Sequence, residues 1–332
     1  MKHTPHPIRA LAHVAMALLF SVALCPTPAS AQVPARFYWK SLSGGNAVPV
    51  IFNSLSGNAN PFDPANTVVQ GANFDATMAL VGYAHTYALF DRAAMGAILL
   101  PMGRVSGEVT VGSLTSKQSA SGYGDPTLEF AINLIGPPAQ KNLAEALRFE
   151  PGFSLDLLAD LALPIGEYDS NQALNLGQNR WYGRIGAPIV WQLGSWVPGK
   201  RTTLEFLPAV WLFGDNTDYL GGQTLKTDPL FQLDAHLTRD FSESFWGSLD
   251  ASWYNGGKAS INGAAGTSLN NVGVGLTLGY QVNDNIGLTF GYKSTLNSGS
   301  DPTALRMDNF MFTLVFGWNP MLEGARRLKS EK

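Results

Sequence analysis

The chain has 332 residues and a formal net charge of −3, and only 14% of its residues are charged, against about 25% in an ordinary soluble domain. Beyond the N-terminal region it contains no apolar run of about 18 residues, so the sequence excludes a membrane-spanning helix there. No basic patch indicates nucleic-acid binding. A low charge without long apolar runs is typical of a chain that faces lipid with every second residue.

The N-terminal region, residues 1–31, predicts a secretory signal peptide. A positively charged start precedes an apolar run over residues 11–24, and small residues at 29–31 form a cleavage site before Gln32. An uncleaved anchor and lipidation at Cys25 are alternatives, but the run is short for a span of about 20 residues. Because Cys25 is the only cysteine, the mature chain has no disulfide and must close its structure by other means.

Alternation of apolar and polar residues is the main signal along the mature chain. Between residues 149 and 163, apolar residues occupy most odd positions, and the even positions include Ser154, Asp156 and Asp160. A strand separates these two sets onto opposite faces, whereas a helix would mix them. The same alternation recurs over residues 127–134, 225–237, 271–282 and 309–318.

Twelve strands are predicted, and many reach the roughly 9–11 residues that a tilted strand needs to cross a bilayer. Their ranges are 37–52, 74–89, 93–103, 126–135, 148–163, 181–193, 202–213, 224–239, 245–254, 268–282, 286–296 and 305–318. The short links are 90–92, 136–147, 194–201, 240–244 and 283–285. The long links are 53–73, 104–125, 164–180, 214–223, 255–267 and 297–304.

Short and long links alternate along the chain, and this rhythm predicts the architecture. We expect an all-β fold, a transmembrane antiparallel β-barrel over residues 32–318, with tight periplasmic turns and both termini in the periplasm. The sheet must close, because a strand in lipid cannot leave its backbone groups unpaired. Residues 319–332 are expected to form a solvated periplasmic tail.

Aromatic residues cluster near the predicted strand ends. We interpret them as girdles at the two membrane interfaces, because amphipathic rings favour the headgroup level; a sandwich core is the alternative. They are Trp181, Tyr182, Trp191, Trp196, Trp211, Trp246, Trp253, Tyr254 and Trp318.

Three segments at the ends of long links carry a family resemblance. They are Gly122-Tyr123-Gly124-Asp125-Pro126, Leu163-Pro164-Ile165-Gly166-Glu167-Tyr168-Asp169 and Asn175-Leu176-Gly177-Gln178-Asn179-Arg180-Trp181. Together they resemble an outer-membrane transporter family labelled "MetA-pathway of phenol degradation", from about residue 74 to residue 318. The resemblance implies a barrel distantly similar to transporters of fatty acids and aromatic hydrocarbons, and traffic in aromatic or other hydrophobic compounds. No lengthy N-terminal plug domain is evident.

Two interpretations of these motif residues stay open. In one, a loop folds inward to constrict the pore or bind a solute; in the other, the residues only make turns, with Gly at positive φ and Asn or Asp bonding to nearby backbone. The residues concerned are Gly122, Gly124, Asp125, Pro164, Gly166, Tyr168, Asn175, Gly177, Asn179 and Trp181.

Charged and aromatic residues on the predicted inner faces are the candidates for contact with a solute. They are Glu150, Asp156, Asp160, Arg184, Glu205, Asp228, Asp234, Asp250, Tyr182, Trp246 and Tyr254. Either the charges set a field across the pore, or they only brace the lumen through ion pairs. Either the rings stack on aromatic solutes, or they anchor the barrel at the interface.

Catalysis has little support in the sequence. After the signal region only His85 and His236 remain, and neither lies in a nucleophile–base pattern. We expect no metal and no cofactor, and a passive outer-membrane channel for small organic solutes, aromatic or hydrophobic. Its expected partners are outer-membrane lipid, these solutes and the barrel-assembly machinery. A structural or ligand-binding surface barrel without transport, and an outer-membrane hydrolase, are the alternatives.

Overall fold

A computed structural model describes residues 34–111, 114–296 and 304–330, so the predicted signal peptide lies outside the described residues. The strands are β1 (Asn46–Gly57), β2 (Ala72–Leu89), β3 (Arg92–Val111), β4 (Leu114–Tyr123), β5 (Thr127–Ile135), β6 (Phe153–Ala162), β7 (Tyr182–Gly186), β8 (Ile189–Gln192), β9 (Thr202–Phe213), β10 (Asn216–Tyr219), β11 (Gln223–Thr227), β12 (Leu230–Asp240), β13 (Phe245–Gly256), β14 (Ala259–Ile261), β15 (Ala264–Ala265), β16 (Leu269–Asn283), β17 (Ile286–Leu296) and β18 (Met307–Trp318). Helices span Leu143–Leu147 and Pro320–Ser330. No helix in the described ranges is both long and apolar enough to span a bilayer.

The strands close into a twelve-position antiparallel ring, which confirms the predicted fold class. Its last and first strands, β18 and β1, pair over their whole length, from Asn46 opposite Trp318 to Gly57 opposite Met307. This pairing removes the sheet edge, which is the condition for a sheet in lipid.

Two ring positions are each shared by two strands. Residues 124–126 separate β4 from β5, which both pair with β3, and residues 187–188 separate β7 from β8, which both pair with β6 and β9. Pro126 and Pro188 lie at these breaks, where a residue without an N–H cannot continue the ladder.

The side chains that alternation assigned to opposite faces of a strand lie on opposite faces in the ring. In β6, Asp156 and Asp160 are buried toward the lumen, while Leu157 and Leu161 are exposed on the outside. The outward set forms an apolar belt around the barrel. It includes Phe52, Ile98, Leu128, Leu157, Ile185, Leu212, Leu237, Leu249, Leu276, Phe290 and Phe312.

The ring has a short-turn end and a long-loop end. At the short-turn end lie the connections 90–91, 241–244 and 284–285, together with the starts of β1 and the helix Pro320–Ser330. That helix is tied to the β16–β17 turn, where Arg326 pairs with Asp284 at 2.5 Å. The orientation of these ends relative to the cell stays a prediction.

The three largest differences from the predicted strand boundaries lie in β1, in the β3–β4 hairpin and in β12. Residues 37–45 are not part of the first strand, and Trp39 and Lys40 among them contact the lumen residues Glu205 and Asp156. Much of the predicted link 104–125 is the β3–β4 hairpin, which the alternation missed because its outer face carries polar residues such as Thr115 and Lys117. The predicted strand 224–239 begins at Leu230, because β11 belongs to a separate small sheet with β10, β14 and β15, and Leu225 is buried rather than facing lipid.

Only part of the aromatic set has the outward orientation that the girdle interpretation requires. Trp181, Trp191 and Trp253 are exposed on the outside of the barrel. The rings of Trp211 and Tyr254 instead line the lumen, because their strand positions have the inward parity.

We predict that Leu276→Arg, at the middle of β16, destabilises the folded barrel by about 2–4 kcal/mol. Leu276 is exposed on the apolar belt, so the guanidinium would enter the hydrocarbon layer. Urea titration of the protein folded into vesicles measures the change. Thr115→Arg, on the polar outer face of β4, is the control and should change stability by less than about 0.5 kcal/mol; equal effects would contradict the assignment of the belt.

Candidate functional site

The lumen is crossed near its short-turn end by residues 34–43, here called the plug segment. Arg36 donates from Nη1 to Asp240 Oδ1 at 2.7 Å and from Nε to Thr238 at 3.1 Å. Its guanidinium lies between two indole rings, 4.2 Å from Trp39 and 4.3 Å from Trp246. We expected no lengthy N-terminal plug domain, and the segment that crosses the lumen is short enough to leave no compositional signal of a domain.

The plug segment also holds two of the predicted lumen carboxylates. Glu205 accepts hydrogen bonds from the Arg36 backbone N–H at 2.8 Å and from the Trp39 indole N–H at 2.7 Å. Lys40 forms an ion pair with Asp156. Asp156 and Glu205 thus face cations and donors of the chain's own N-terminal segment.

Next to the plug segment lies a cavity of about 240 Å³, here called the chamber. Its walls are mainly apolar and aromatic, with a few carboxylates and one guanidinium. It is lined by Pro34 and Phe37 of the plug segment, by Pro61, Phe62, Asp63, Pro64 and Asn66 of the β1–β2 loop, by Leu176 of the β6–β7 loop, and by the wall residues Ile51, Met78, Leu80, Leu99, Pro101, Asp125, Thr127, Glu129, Asp160, Tyr182, Arg184, Trp211, Gln232 and Tyr254.

A second cavity of about 550 Å³, the vestibule, lies among the connections of the long-loop end. It is bounded by the β1–β2 loop, the β3–β4 hairpin and the small sheet, through residues such as Val68, Gln118 and Ile261. Asp63 lines both cavities, so the β1–β2 loop separates them.

The partition between vestibule and chamber is held by the β6–β7 loop. Arg180 pairs with Asp63 at 3.3 Å and donates to Thr227 at 2.7 Å. The Gln178 amide donates to the Phe62 carbonyl at 3.1 Å. Arg180 is buried, so the partition is a desolvated contact rather than a surface ion pair.

Asp125 connects the three loop motifs. Its carboxylate accepts the Gly166 N–H at 2.9 Å and the Gln178 N–H at 2.8 Å, which docks the β6–β7 loop against the break between β4 and β5. Burial raises the pKa of the Asp125 carboxyl, and the two N–H donors oppose that rise.

Glycine is required where the motifs meet. A Cβ atom on Gly166 would lie 2.6 Å from the carbonyl carbon of Gly124, and one on Gly177 would lie 2.6 Å from that of Gly166. Real Cβ atoms do not approach backbone this closely, so the three backbones stack only because they carry no side chain.

The remaining motif residues shape the same loop. Asn175 accepts the Asp169 N–H at 2.8 Å and donates to the carbonyls of Asp169 and Gln172. The Tyr168 hydroxyl joins the loop to the small sheet through Asn216 at 2.9 Å. The others lie nearby. Gly122 is the second-to-last residue of β4 and lies beside Glu167, and Pro164 is the second residue of the loop. Asn179 has a φ of 50°, and Trp181 is exposed just before β7. Turn chemistry and an inward loop therefore occur together.

The other predicted lumen charges have partners on the barrel wall, on an adjacent strand for Asp160 and Asp250 and across the lumen for Asp234. Arg184 Nε donates to Asp160 at 2.6 Å, Lys293 lies 3.7 Å from Asp234, and His236 lies 2.7 Å from Asp250. These contacts fit the interpretation that lumen charges brace the barrel.

Two predicted lumen residues were misplaced. Glu150 and Asp228 are exposed in connections before β6 and β12, because both strands begin later than predicted. They do not face the lumen.

Ser248, Asp250 and His236 lie together in the lumen, but their hydrogen bonds do not run in the order of a catalytic triad. The Ser248 hydroxyl donates to Asp250 at 2.5 Å, so it bonds to the carboxylate that holds His236 rather than to the imidazole. In a nucleophile–base pair the hydroxyl is hydrogen-bonded to the imidazole, which takes its proton. No group of three metal-ligating side chains occurs in the described ranges.

Sequence reasoning missed the plug segment, the Asp63–Arg180 contact and the contact of Glu129 with Arg184. Alternation places a side chain on a face, but it cannot say which residues distant in the chain meet. Arg36 and Lys40 follow the predicted cleavage site, and two cations ahead of a barrel with an acidic lumen were the one available signal.

We predict that Asp125→Ala releases the β6–β7 loop, because each hydrogen bond to a charged group contributes about 1.5–3 kcal/mol. Limited digestion with a protease that cuts after glutamate should cleave faster at the exposed Glu167. Asp228→Ala removes an exposed carboxylate and is the control. Unchanged cleavage at Glu167 in the Asp125 variant would refute the docking role.

Comparison with solved structures shows that this barrel has a fold similar to that of an outer-membrane channel. An outer-membrane channel of Pseudomonas putida F1 is 18% identical, covers 86% of this chain and 100% of its own, and has a TM-score of 0.68. Two autotransporter barrels are less similar. The β-domain of a Bordetella autotransporter is 10% identical, covers 83% of this chain and 100% of its own, and has a TM-score of 0.47. The translocator domain of NalP from Neisseria meningitidis is 12% identical, covers 94% of this chain and 97% of its own, and has a TM-score of 0.46.

No curated protein matches the chain in sequence. The family described as "Putative MetA-pathway of phenol degradation" matches residues 57–306, which include all three loop motifs. Since this match covers more than half of the sequence, the chain belongs to that family.

Proposed function

We propose that this protein is a gated outer-membrane channel through which compact, largely apolar organic solutes diffuse down their gradients. The observation that carries the proposal is the series of vestibule, partition, chamber and plug segment within one closed barrel. Apolar walls with a few convergent polar groups are typical of sites for small organic molecules. No catalytic step and no cofactor is part of the proposal.

The plug segment is the gate in this proposal. Among the described residues it belongs to no strand and continues into the barrel wall at Asn46, so it can leave the lumen without breaking any hydrogen bond between strands. Its anchors are the polar contacts of Arg36, Trp39 and Lys40. Each is a charge-assisted bond, and a few such bonds give an opening equilibrium that a solute or a substitution can shift.

The cellular setting is also proposed. Residues 1–31 act as a cleaved signal peptide, the short-turn end faces the periplasm, and the long-loop end faces outward, as in bacterial barrels with short periplasmic turns. Solutes would enter the vestibule, pass the partition at Asp63 and leave past the plug segment. The aromatic chamber wall, with Phe37, Phe62 and Trp211, supports an aromatic or hydrophobic solute class.

We predict that the double substitution Arg36→Ala with Lys40→Ala raises the open fraction about tenfold or more, because it removes charged contacts contributing about 1.5–3 kcal/mol each. Single-channel recording in planar bilayers, with uptake of benzyl alcohol into vesicles, measures the effect. Lys200→Ala, in the exposed β8–β9 turn, is the control.

The same experiment separates the proposed channel from its alternative. A barrel whose plug segment never leaves would bind solute without passing it. If neither the native protein nor the double variant conducts ions or admits benzyl alcohol, while both are folded, the channel proposal fails and a binding or structural barrel replaces it.

A further inference from the structure

Two carboxylates stand side by side on the chamber wall. Glu129 in β5 and Asp160 in β6 are direct partners in the strand register, and both line the chamber. Arg184 in β7 is the register partner of Asp160 on its other side. Its Nε donates to Asp160 Oδ2 at 2.6 Å, and its Nη2 lies 3.9 Å from Glu129 Oε2.

This cluster contains one more negative charge than positive charges. The other carboxylates of the chamber have their own partners, since Asp63 contacts Arg180 and Asp125 accepts two backbone N–H groups. The excess therefore belongs to Glu129 and Asp160. Two like charges held together out of water are costly unless a cation or a shared proton compensates them.

Each of these carboxylates also keeps one oxygen without a donor. Glu129 Oε1 and Asp160 Oδ1 are buried and accept no hydrogen bond from any described residue. Their residues are only 6% and 7% exposed. Buried polar atoms are nearly always satisfied, so these two oxygens call for a further donor, which is either a proton shared by the two carboxyls or a group from a bound molecule.

The surroundings suit a cation attached to an apolar body. The Trp211 ring already lies 5.0 Å from the Arg184 guanidinium, and the Tyr254 ring lies 5.4 Å from Lys293 Nζ. Phe37 of the plug segment lies on the same chamber wall. Aromatic faces attract cations, and the effect grows where water is excluded.

We propose that the chamber binds a compact organic cation, whose ammonium group donates hydrogen bonds to Glu129 and Asp160 while its apolar body lies among the aromatic side chains. The inference rests on the proposed channel function and names the solute class of its chamber. The same excess of negative charge disfavours carboxylate-bearing solutes.

The test compares three probes with the same ring: benzylamine, benzyl alcohol and benzoate. Calorimetric titration of the detergent-purified full-length protein should give a dissociation constant at least about tenfold lower for benzylamine than for benzyl alcohol, because a hydrogen bond to a charged group adds that much. Benzoate should bind more weakly than either. Equal binding of amine and alcohol would overturn the proposal and indicate that the two carboxylates share a proton.

Variants assign the preference to the named residues. Glu129→Gln with Asp160→Asn keeps the side-chain shapes and removes the charge, so the preference for benzylamine should disappear while benzyl alcohol binding stays within about twofold. Asp215→Asn, at an exposed carboxylate paired with Lys226, is the control and should keep the preference. Gel mobility before and after boiling verifies that each variant is folded. A preference that survives in the double variant would place the cation elsewhere and refute the site.

Failure of this inference is separable from failure of the channel proposal. Uptake of benzyl alcohol into vesicles reports passage of a neutral solute and does not depend on Glu129 or Asp160. Flux of benzyl alcohol without any preference for benzylamine would refute the cation site and support the channel. Preferential binding of benzylamine without flux would refute the channel and support the cation site.

Discussion

A backbone that crosses lipid must find every hydrogen-bond partner within the protein, and the rest of this structure depends on that constraint. The full-length pairing of β1 with β18 meets it by closing the ring. Closure then divides the side chains, because strand geometry sends successive residues to opposite faces. Leucine and phenylalanine cover the outside, and aspartate, glutamate and arginine collect in a lumen shielded from bulk water.

That enclosed polar lumen explains the features of the site. Buried charges must be compensated, and the barrel compensates them in two ways. Pairs on neighbouring strands, such as Arg184 with Asp160, neutralise one another permanently. Others, such as Asp156 and Asp240, are neutralised by Lys40 and Arg36 of the plug segment, which a solute could displace because the segment belongs to no strand of the ring. Glu129 is the exception, and its excess charge is the basis for proposing a cationic solute.

The loop motifs connect the two parts of the proposed path. Asp125 and the stacked glycines hold the β6–β7 loop, and this loop in turn holds the β1–β2 loop through Arg180 and Gln178. The partition is thus set by backbone approach and two buried contacts rather than by a rigid domain. Such an arrangement can change shape locally while the strand ladder stays intact, as loops generally can.

Strand number and strand faces came from the sequence alone, because period-two alternation and turn composition are local properties that a single chain segment carries. The family resemblance came from the three loop motifs. The lumen positions of Asp156, Asp160, Arg184, Glu205, Asp234 and Asp250 followed from the same parity. Only the tertiary structure decided that Arg36 and Lys40 enter the barrel, that Asp63 meets Arg180, and that Glu129 and Asp160 share one guanidinium. Some of these contacts join residues that are far apart in the chain, and the others depend on the register between neighbouring strands. No local pattern encodes which carboxylate each cation will neutralise.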